Sequence, residues 1–581
     1  MVRPDERLRV AIVGLGPKGL FALERLLHHM HDRGARTRLS IDLFEPHPVP
    51  GAGPVYDPRQ PGYLLMNLAA EHVDMWPATS HAVPPAERLS FVDWRGETAG
   101  PRYPPRAHVG RYLADGLMLM RRHTPPGVSI RLRRCAVEAV EQRGGSWDVV
   151  TADRATYAFD EVLIAVGHGT AAGEPHMTHD RSSFADWVQW PHTAAIVPEV
   201  FPVTRWLVPQ RVAAGATVAV RGFALTFIDA ALALTEGRGG SFARQSGHPF
   251  RLRYTPTDAD AGVLLPFSRS GRPMLAKPDP GLAAGVPALA TIALAGRAEI
   301  LALPDGFALG RDLMTILAAN VGGALLAANG HAPLAEPWPR ATQSARRWLQ
   351  TACTGAAPAT GLAPAEEVEQ SLAVGAGLRP PDLPWALGHT WRSLYPALVQ
   401  RLGGDGMADG EWPAFLRLAA QMERVSFGPP PDTAAKLLAL IDAGRVDLTH
   451  VGGATLSTSG AITTLRSARG ERPVDVVINA VLPAPGALAG GNGILGQFLA
   501  DGHVRVLSSR RGLDIDPDAT AIGPDGQRTH GLAIIGRATE DSVIGNDTLS
   551  RAMHPQAGRW ALRVSARSVR DVAGAPLEAP A

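Results

Sequence analysis

Three glycines near the N-terminus have the spacing of a phosphate-binding turn, Gly14-x-Gly16-x-x-Gly19. In a dinucleotide-binding turn the first glycine permits the bend, the second lets the backbone approach a pyrophosphate, and the third lets strand and helix pack closely. The following helix presents unpaired N–H groups to the anion. We therefore predict that Gly14, Gly16, Pro17, Lys18 and Gly19 contact the pyrophosphate of a dinucleotide.

A carboxylate at the end of the next strand would complete this site. Glu45 occupies that place, 26 residues after Gly19, where the usual spacing is about 20. Its predicted role is to accept hydrogen bonds from the adenosine ribose. The motif alone does not choose between FAD and NAD. Two such units in one chain favour FAD in the first and a nicotinamide in the second, since a resident cofactor and a hydride donor need separate sites.

A second, degraded motif supplies the other unit as Gly222-x-Ala224-x-x-Phe227. Alanine and phenylalanine replace its second and third glycines, so the motif by itself is weak. We assign Gly222, Ala224 and Thr226 to the turn of a nicotinamide site.

Basic and hydroxyl side chains follow the next strand of this unit, at Ser268, Arg269 and Arg272. An NAD-specific site would have a carboxylate there, whereas arginine and serine donate hydrogen bonds to a 2′-phosphate. The sequence therefore predicts NADPH over NADH. Arg251 and Arg253, on an inserted hairpin, are alternative partners for the phosphate, and a solvated basic surface is the alternative for all of these positions.

Strands and helices at the expected places position both motifs. Leu8–Val13 and Ser40–Glu45 read as strands that flank a helix over Leu20–His29, which is a βαβ unit. Ala216–Val220 and Gly262–Phe267 read as strands of the second unit. The predicted fold class is α/β, with two Rossmann-like dinucleotide-binding domains, for FAD and NADPH, and a mostly helical additional region. The predicted domains are 1–200 (FAD-binding, first part), 201–330 (NADPH-binding), 331–440 (mostly helical) and 441–581 (return to the FAD-binding domain).

Composition excludes several other classes of protein. The 581 residues are 45% hydrophobic and 19% charged, with a formal net charge of +2, which lacks the basic excess of nucleic-acid binders. Cys135 and Cys353 form no CxxC pair, and the group His28, His29 and His31 shows no second ligand cluster, so we expect no metal site. We find no stretch long enough to span a membrane and predict a cytoplasmic protein.

Five segments resemble a bacterial group of FAD/NAD(P)-binding proteins: Val10–Leu20, Leu64–Asn67, Val162–Gly169, Leu234–Gly240 and Phe267–Lys277. The best-understood members of this group are flavin-dependent N-hydroxylating monooxygenases, notably the L-aspartate N-monooxygenases. The resemblance implies FAD, NADPH and dioxygen, a flavin C4a-(hydro)peroxide, and a small amine as substrate, with L-aspartate as the leading candidate. The motifs are specific for the cofactors and much less specific for the substrate.

The resemblance also assigns individual residues. Gly167 and Gly169 would lie near a cofactor. Asn67 would lie along the flavin, although capping a turn is an equal alternative. A substrate with two carboxylates calls for arginines, and the candidates are Arg95, Arg102, Arg106 and Arg111.

Two other functions share every cofactor motif. One is an NAD(P)H-dependent flavin reductase or oxidase with another acceptor, and the other is a redox sensor that binds FAD without turnover. The oligomeric state is left open, including a homo-oligomer.

Overall fold

The computed structural model describes residues 7–33, 38–96, 100–167, 194–331, 338–403, 406–460, 462–482, 493–546, 549, 551 and 553–568. The chain forms two compact units. The first unit comprises Met1–Gln60, Leu68–His179 and Pro483–Ala581, and the second comprises Pro61–Asn67 and Asp180–Leu482.

Strands and helices alternate in the N-terminal part and helices dominate the middle of the chain. The described strands are β1 (Leu8–Val13), β2 (Leu39–Phe44), β3 (Val128–Arg133), β4 (Val137–Arg143), β5 (Ser146–Thr151), β6 (Thr156–Phe159), β7 (Glu161–Ile164), β8 (Ala195–Val197), β9 (Thr217–Arg221), β10 (Ser241–Arg244), β11 (Leu252–Thr255), β12 (Val263–Phe267), β13 (Thr455–Ser459), β14 (Ile462–Ser467), β15 (Gly470–Pro473), β16 (Val476–Asn479), β17 (Thr520–Ile522) and β18 (Arg528–Ile534). The described α-helices are α1 (Pro17–Arg33), α2 (Phe91–Arg95), α3 (Arg106–Arg122), α4 (Val203–Trp206), α5 (Leu225–Ala233), α6 (Gly281–Ala284), α7 (Pro287–Leu301), α8 (Met314–Ala328), α9 (Trp338–Cys353), α10 (Pro364–Gly375), α11 (Leu383–Leu402), α12 (Trp412–Ser426), α13 (Pro431–Asp442), α14 (Ile494–Ala500) and α15 (Gln556–Arg567).

The first unit is built on a six-stranded sheet in the order β17-β18-β7-β1-β2-β3. Five of its strands are parallel, and β17 pairs antiparallel with β18 at one edge. The central strand β1 is buried from Val10 to Val13, as expected for a parallel strand covered on both faces. Chain connections leave β1 toward β2 on one side and reach β7 on the other. This switch point opens a crevice at the carboxyl ends of β1 and β7, the usual place for a ligand in such sheets.

The second unit has its own parallel sheet, in the order β12-β9-β16-β8. Strand β16 lies between β8 and β9, and Val476 pairs with both Ala195 and Val218. The prediction that all of 441–581 returns to the first unit is therefore wrong for residues 441–482, which carry β13 to β16 of the second unit. The later part, with β17, β18 and α15, does lie in the first unit. The predicted α/β class, with two parallel sheets and a helical region, is confirmed.

The expectation about membrane-spanning segments needs correction. The sequence suggested no stretch that could cross a membrane, yet Leu309–Ala328 is long and apolar enough by length and composition alone. Most of that segment is buried inside the protein, as for a core helix.

A buried carboxylate joins the C-terminal helix to the sheet of the first unit. Glu161 begins β7 and its side chain is fully buried. Its oxygens accept hydrogen bonds from Trp560 Nε1 at 3.1 Å, Arg563 Nη2 at 2.7 Å and Arg567 Nη1 at 2.5 Å. All three donors lie on α15, so one side chain satisfies donors on three turns of the helix.

We expect Glu161→Ala to destabilise the first unit strongly. Removing one partner of a buried ion pair costs about 3–5 kcal/mol, because the remaining charges lose their compensation. Urea unfolding followed by circular dichroism measures the change. Glu141→Ala, at an exposed position on β4, is the matched control and should shift the midpoint little; equal shifts for both variants would contradict the assigned role of Glu161.

Candidate cofactor-binding site

The glycine turn after β1 is shaped by two close approaches. Gly14 has φ of +91°, and a Cβ added there would lie 2.6 Å from the carbonyl oxygen of Ala165, the residue that follows β7. A Cβ on Gly19 would meet the carbonyl oxygen of Gly14. Apart from its chain neighbours, no atom of the described residues lies within 4 Å of a Cβ placed on Gly16. Gly14 and Gly19 are therefore required by packing, whereas the space beside Gly16 is open to a ligand.

Helix α1 starts at the turn, at Pro17, three residues before the predicted Leu20. Proline suits the first turn of a helix, where its missing N–H costs no hydrogen bond. Lys18 Nζ lies 3.1 Å from Nδ1 of His554, whose Nε2 lies 2.9 Å from the carbonyl oxygen of Ile544. Burial, together with the charge of Lys18, lowers the pKa of His554 to about 4. The imidazole is therefore neutral, donating through Nε2 to Ile544 and accepting through Nδ1 from Lys18.

Glu45 reaches back to the turn from the end of β2. Its Oε2 accepts from the backbone N–H of Leu15 at 2.8 Å, and its Oε1 accepts from the N–H of His47, also at 2.8 Å. Each carboxylate oxygen keeps further acceptor capacity. The buried Glu45 thus fixes the turn, and its predicted contact with a ribose stays a prediction.

A second loop that the sequence reading missed lies against the turn. Gly51 N–H donates to the carbonyl of Leu15 at 2.8 Å, and a Cβ on Gly53 would lie 3.4 Å from the Cα of Gly16. Both Gly51 and Gly53 have positive φ. The signal in the sequence that could have revealed this loop was the run of small residues Gly51-Ala52-Gly53. These residues line a second side of the open space beside Gly16.

The crevice continues along the neighbouring strand ends. Gly167 has φ of +64°, and among the described residues, apart from its chain neighbours, no atom lies within 4 Å of an added Cβ. Gly169 lies outside the described residues. A cavity of about 320 Å³ adjoins the turn on the side of Lys18 and Gly536, with Phe21, Ile535 and Val543 among its apolar lining residues.

In the second unit, too, a turn glycine lies close to the carbonyl that follows a neighbouring strand. Gly222 follows β9 with φ of +112°, and its Cβ would lie 3.2 Å from the carbonyl oxygen of Ala480, the residue that follows β16. Ala224 is the N-cap of α5, and Thr226 in its first turn is buried. Phe227, at the place of the third glycine, is fully buried in the core of this unit. The degraded motif therefore still forms a strand, turn and helix.

The predicted phosphate-binding residues differ in their hydrogen-bond partners and in their exposure. Arg272 is paired with Glu367 and also donates to Thr360 Oγ1 at 3.1 Å. Ser268 Oγ accepts from the backbone N–H of Gly271 at 3.1 Å. Arg269 is exposed. The structure thus commits Arg272 to a carboxylate of α10 and leaves Arg269 as the arginine of this segment that can reach a phosphate.

Of the two alternative arginines on the hairpin, one is ion-paired and the other is exposed. Arg251 pairs with Glu369 and, at 2.7 Å, with Asp442, whereas Arg253 is exposed. Arg253 is therefore the remaining rival of Arg269.

In the part of the chain that the structure describes, the four predicted substrate arginines do not form a single cluster. Arg102 pairs with Glu71, and Arg95 donates to the carbonyl of Pro101 at 3.2 Å. Arg106 and Arg111 both lie on α3, but five positions along a helix place side chains about 140° apart. The choice among them stays open.

A half-buried lysine that the sequence reading did not single out contacts Asn67. Lys277 Nζ donates to the backbone carbonyl of Asn67, and burial, with Arg392 nearby, lowers the pKa of Lys277 to about 7. Lys277 is one of only three lysines in a chain with 57 lysines and arginines. The predicted flavin contact of the Asn67 amide stays a prediction; what the structure shows is its carbonyl holding Lys277.

Comparison with known proteins fits this geometry. Residues 11–169 match the FAD-NAD(P)-binding family. The matched range runs from β1 through Glu45 to the glycines after β7, the segments that surround the open crevice.

Two curated relatives agree with the resemblance. One is a nitrosuccinic acid synthase, npaA, of Aspergillus oryzae, 31% identical over 279 residues that cover 46% of this chain and 41% of the relative. The other is an L-aspartate N-monooxygenase (nitrosuccinate-forming) of Streptomyces cremeus, 29% identical over 302 residues that cover 47% of this chain and 43% of the relative. The matched part thus spans less than half the length of these relatives. A solved flavin-containing monooxygenase of Stenotrophomonas maltophilia aligns over 97% of this chain and 99% of its own, with 14% identity and a TM-score of 0.40.

Gly16→Val should fold but lose dinucleotide binding. The protein has room for the side chain, so an isopropyl group fills only the space that a pyrophosphate would need. We expect the purified variant to retain little flavin, measured as the ratio of absorbance at 450 nm to that at 280 nm on the scale of roughly equimolar FAD in the parent. Gly145→Val, at an open position in the β4–β5 turn, is the control. Full flavin content in a folded Gly16→Val variant would sink the assignment.

Arg269→Ala should weaken NADPH selectively. Losing a hydrogen bond to a charged group costs about 1.5–3 kcal/mol, so KM for NADPH should rise roughly tenfold or more with little change for NADH. Steady-state kinetics with both nucleotides measures this. Arg253→Ala is the comparison, and a selective effect there instead would move the phosphate site to the hairpin.

Proposed function

We propose that this chain is an FAD- and NADPH-dependent N-hydroxylating monooxygenase that acts on the amino group of a small amino acid, with L-aspartate as the leading substrate. The observation that carries the proposal is the pair of parallel sheets, each with its first turn glycine against the carbonyl of an adjacent strand end. The names of the curated relatives point the same way.

The residues at the first turn fit FAD. Gly16 faces open space that any side chain would fill, and the start of α1 is directed at that space. Glu45 is anchored by Leu15 and His47 with acceptor capacity to spare. Gly14, Gly16, Gly19 and Glu45 would hold the adenosine diphosphate part, and Gly53 would close the other side.

The residues at the second turn fit a nicotinamide cofactor. The start of α5 after Gly222 would receive the pyrophosphate, with Ala224 and Thr226 beside it. Arg269 would receive the 2′-phosphate that distinguishes NADPH, since it is exposed and a guanidinium binds phosphate well.

The protein residues have a limited task in this reaction. When bound, reduced flavin together with dioxygen supplies the oxygen-transfer chemistry. The chain must keep water out, hold the nucleotide, and present the substrate amine without its extra proton, because an ammonium group has no lone pair for attack. Arginines would hold the carboxylates of the substrate and so fix the position of the amine.

Coupled turnover with L-aspartate is the expected result for the purified FAD-loaded protein. NADPH oxidation should be matched by oxygenated product, detected by mass spectrometry as hydroxylamine or nitro compound, with little hydrogen peroxide. The rate should rise with pH as the substrate ammonium ionises. L-asparagine, L-alanine and L-ornithine are the matched substrates, since each lacks one feature of the dicarboxylate.

Other outcomes would identify the alternatives. NADPH consumption matched fully by peroxide indicates an oxidase, and consumption that requires a quinone indicates a reductase. Bound flavin that NADPH does not reduce indicates a redox sensor. Any of these three results, in the absence of oxygenated amine, contradicts the proposal.

A further inference from the structure

Three potential metal ligands come together at the C-terminal half of α1. His28 and Asp32 lie one helical turn apart, with Nε2 of His28 at 3.7 Å from Oδ2 of Asp32. His81, which is 49 residues further along the chain, places Nδ1 at 2.5 Å from Oδ1 of Asp32. The rings of His28 and His81 are 5.0 Å apart. One ligand atom from each of the three residues lies within 4.8 Å of the others.

The chemistry of this group selects a class of ion. Two imidazoles and one carboxylate suit zinc and the later first-row divalent ions, whereas magnesium and calcium prefer oxygen ligands. Metal–ligand bonds of about 2.0–2.2 Å place the ligand atoms roughly 3.3 Å from one another, so His28 and Asp32 must approach slightly and His81 must move slightly away from Asp32. Small side-chain rotations achieve this, because the side chains of Asp32 and His81 are 42% and 59% exposed.

We propose that His28, Asp32 and His81 bind one divalent transition-metal ion, with water completing its coordination. This site is independent of the proposed function. The proposal departs from the expectation of no metal site, which followed from seeing no second ligand cluster near His28 in the sequence.

The charges around the group are compatible with a bound cation. Arg25, next to the site, is paired with Glu24 at 2.6 Å, which compensates its charge. The carboxylate of Asp32 supplies a negatively charged ligand.

Two hydrogen bonds must be exchanged when the ion binds: the one between Nδ1 of His81 and Oδ1 of Asp32, and one from a backbone amide. The backbone N–H of His81 donates to Nδ1 of His28 at 3.2 Å, which places the proton of the neutral ring on Nε2. Coordination through Nε2 moves that proton to Nδ1 and releases the amide to water. A hydrogen bond of this kind contributes about 0.5–1.5 kcal/mol, far less than a structural metal supplies.

The place of the site in the fold indicates what the ion would do. Lys18 at the turn and Asp32 are 14 residues apart on α1, which is about 21 Å along the helix. The ion would therefore be remote from the cofactor turn. It would clamp the segment that carries His81 to α1, where Ser80 already contacts the buried Glu24. We assign it a stabilising role in the first unit.

Zinc titration of the full-length, untagged, chelator-stripped protein tests this directly. Isothermal titration, with a chromophoric chelator as competitor, should show one saturable site, and zinc should raise the melting temperature. His81→Ala and Asp32→Asn should each weaken zinc binding at least about tenfold and abolish the stabilisation. His530→Ala, at an exposed histidine outside the group, should behave as the parent.

A second measurement separates a built site from loose surface binding. Hydrogen exchange of the amides from Ser80 to Val83 should slow on zinc addition in the parent and in His530→Ala only. Equal zinc affinity in His81→Ala and the parent, or no saturable binding beyond an adventitious ion, would overturn the proposal. Flavin content and NADPH oxidation are followed in parallel and should not change in Asp32→Asn, so failure here is distinguishable from failure of the proposed function.

Discussion

The close approach of a turn glycine to the carbonyl that ends a neighbouring strand governs both units. At Gly14 the neighbour is Ala165 and at Gly222 it is Ala480, and in each case a Cβ would lie within about 3.2 Å of the oxygen. In each unit, this close approach brings the glycine turn and the end of the neighbouring strand to the same crevice. At the first turn, hydrogen bonds from Leu15 to Glu45 and from Gly51 to Leu15 fix the backbone further.

The sequence predicted the parts of this arrangement that are local. Leu8–Val13, the glycine turn, the helix and the strand that ends before Glu45 follow one another within 45 residues, and periodicity and glycine spacing are strong signals at that range. The start of α1 at Pro17 was missed because the apolar face begins only at Leu20. The contact of Gly51 and Gly53 with the turn was missed because a glycine-rich loop has no hydrophobic periodicity that indicates which element it packs against.

The remaining features depend on contacts between residues that are far apart in the sequence, which local patterns do not predict. The insertion of β16 between β8 and β9 joins residues more than 250 apart, so no local pattern assigned residues 441–482 to the second unit. Arg272 looked free for a phosphate because Glu367 lies 95 residues away. His28 looked isolated for the same reason, since His81 enters only through the fold. In each case the partner lies far away in the sequence and comes from another element of the fold.

The two turns differ in a way that matches the different demands on the two cofactors. In the first, Gly19 sits against the carbonyl of Gly14, so α1 begins close to β1. In the second, Phe227 takes that place and is fully buried, so α5 is held by a large core side chain in place of a close backbone contact. A pyrophosphate at the first turn would have Gly53 on its other side, whereas Arg269 at the second is exposed. On the proposed function the first site must retain FAD through every turnover, and the second must bind NADPH and then release it. Tight backbone enclosure serves retention, and an exposed charge that can bind phosphate without enclosing it serves exchange.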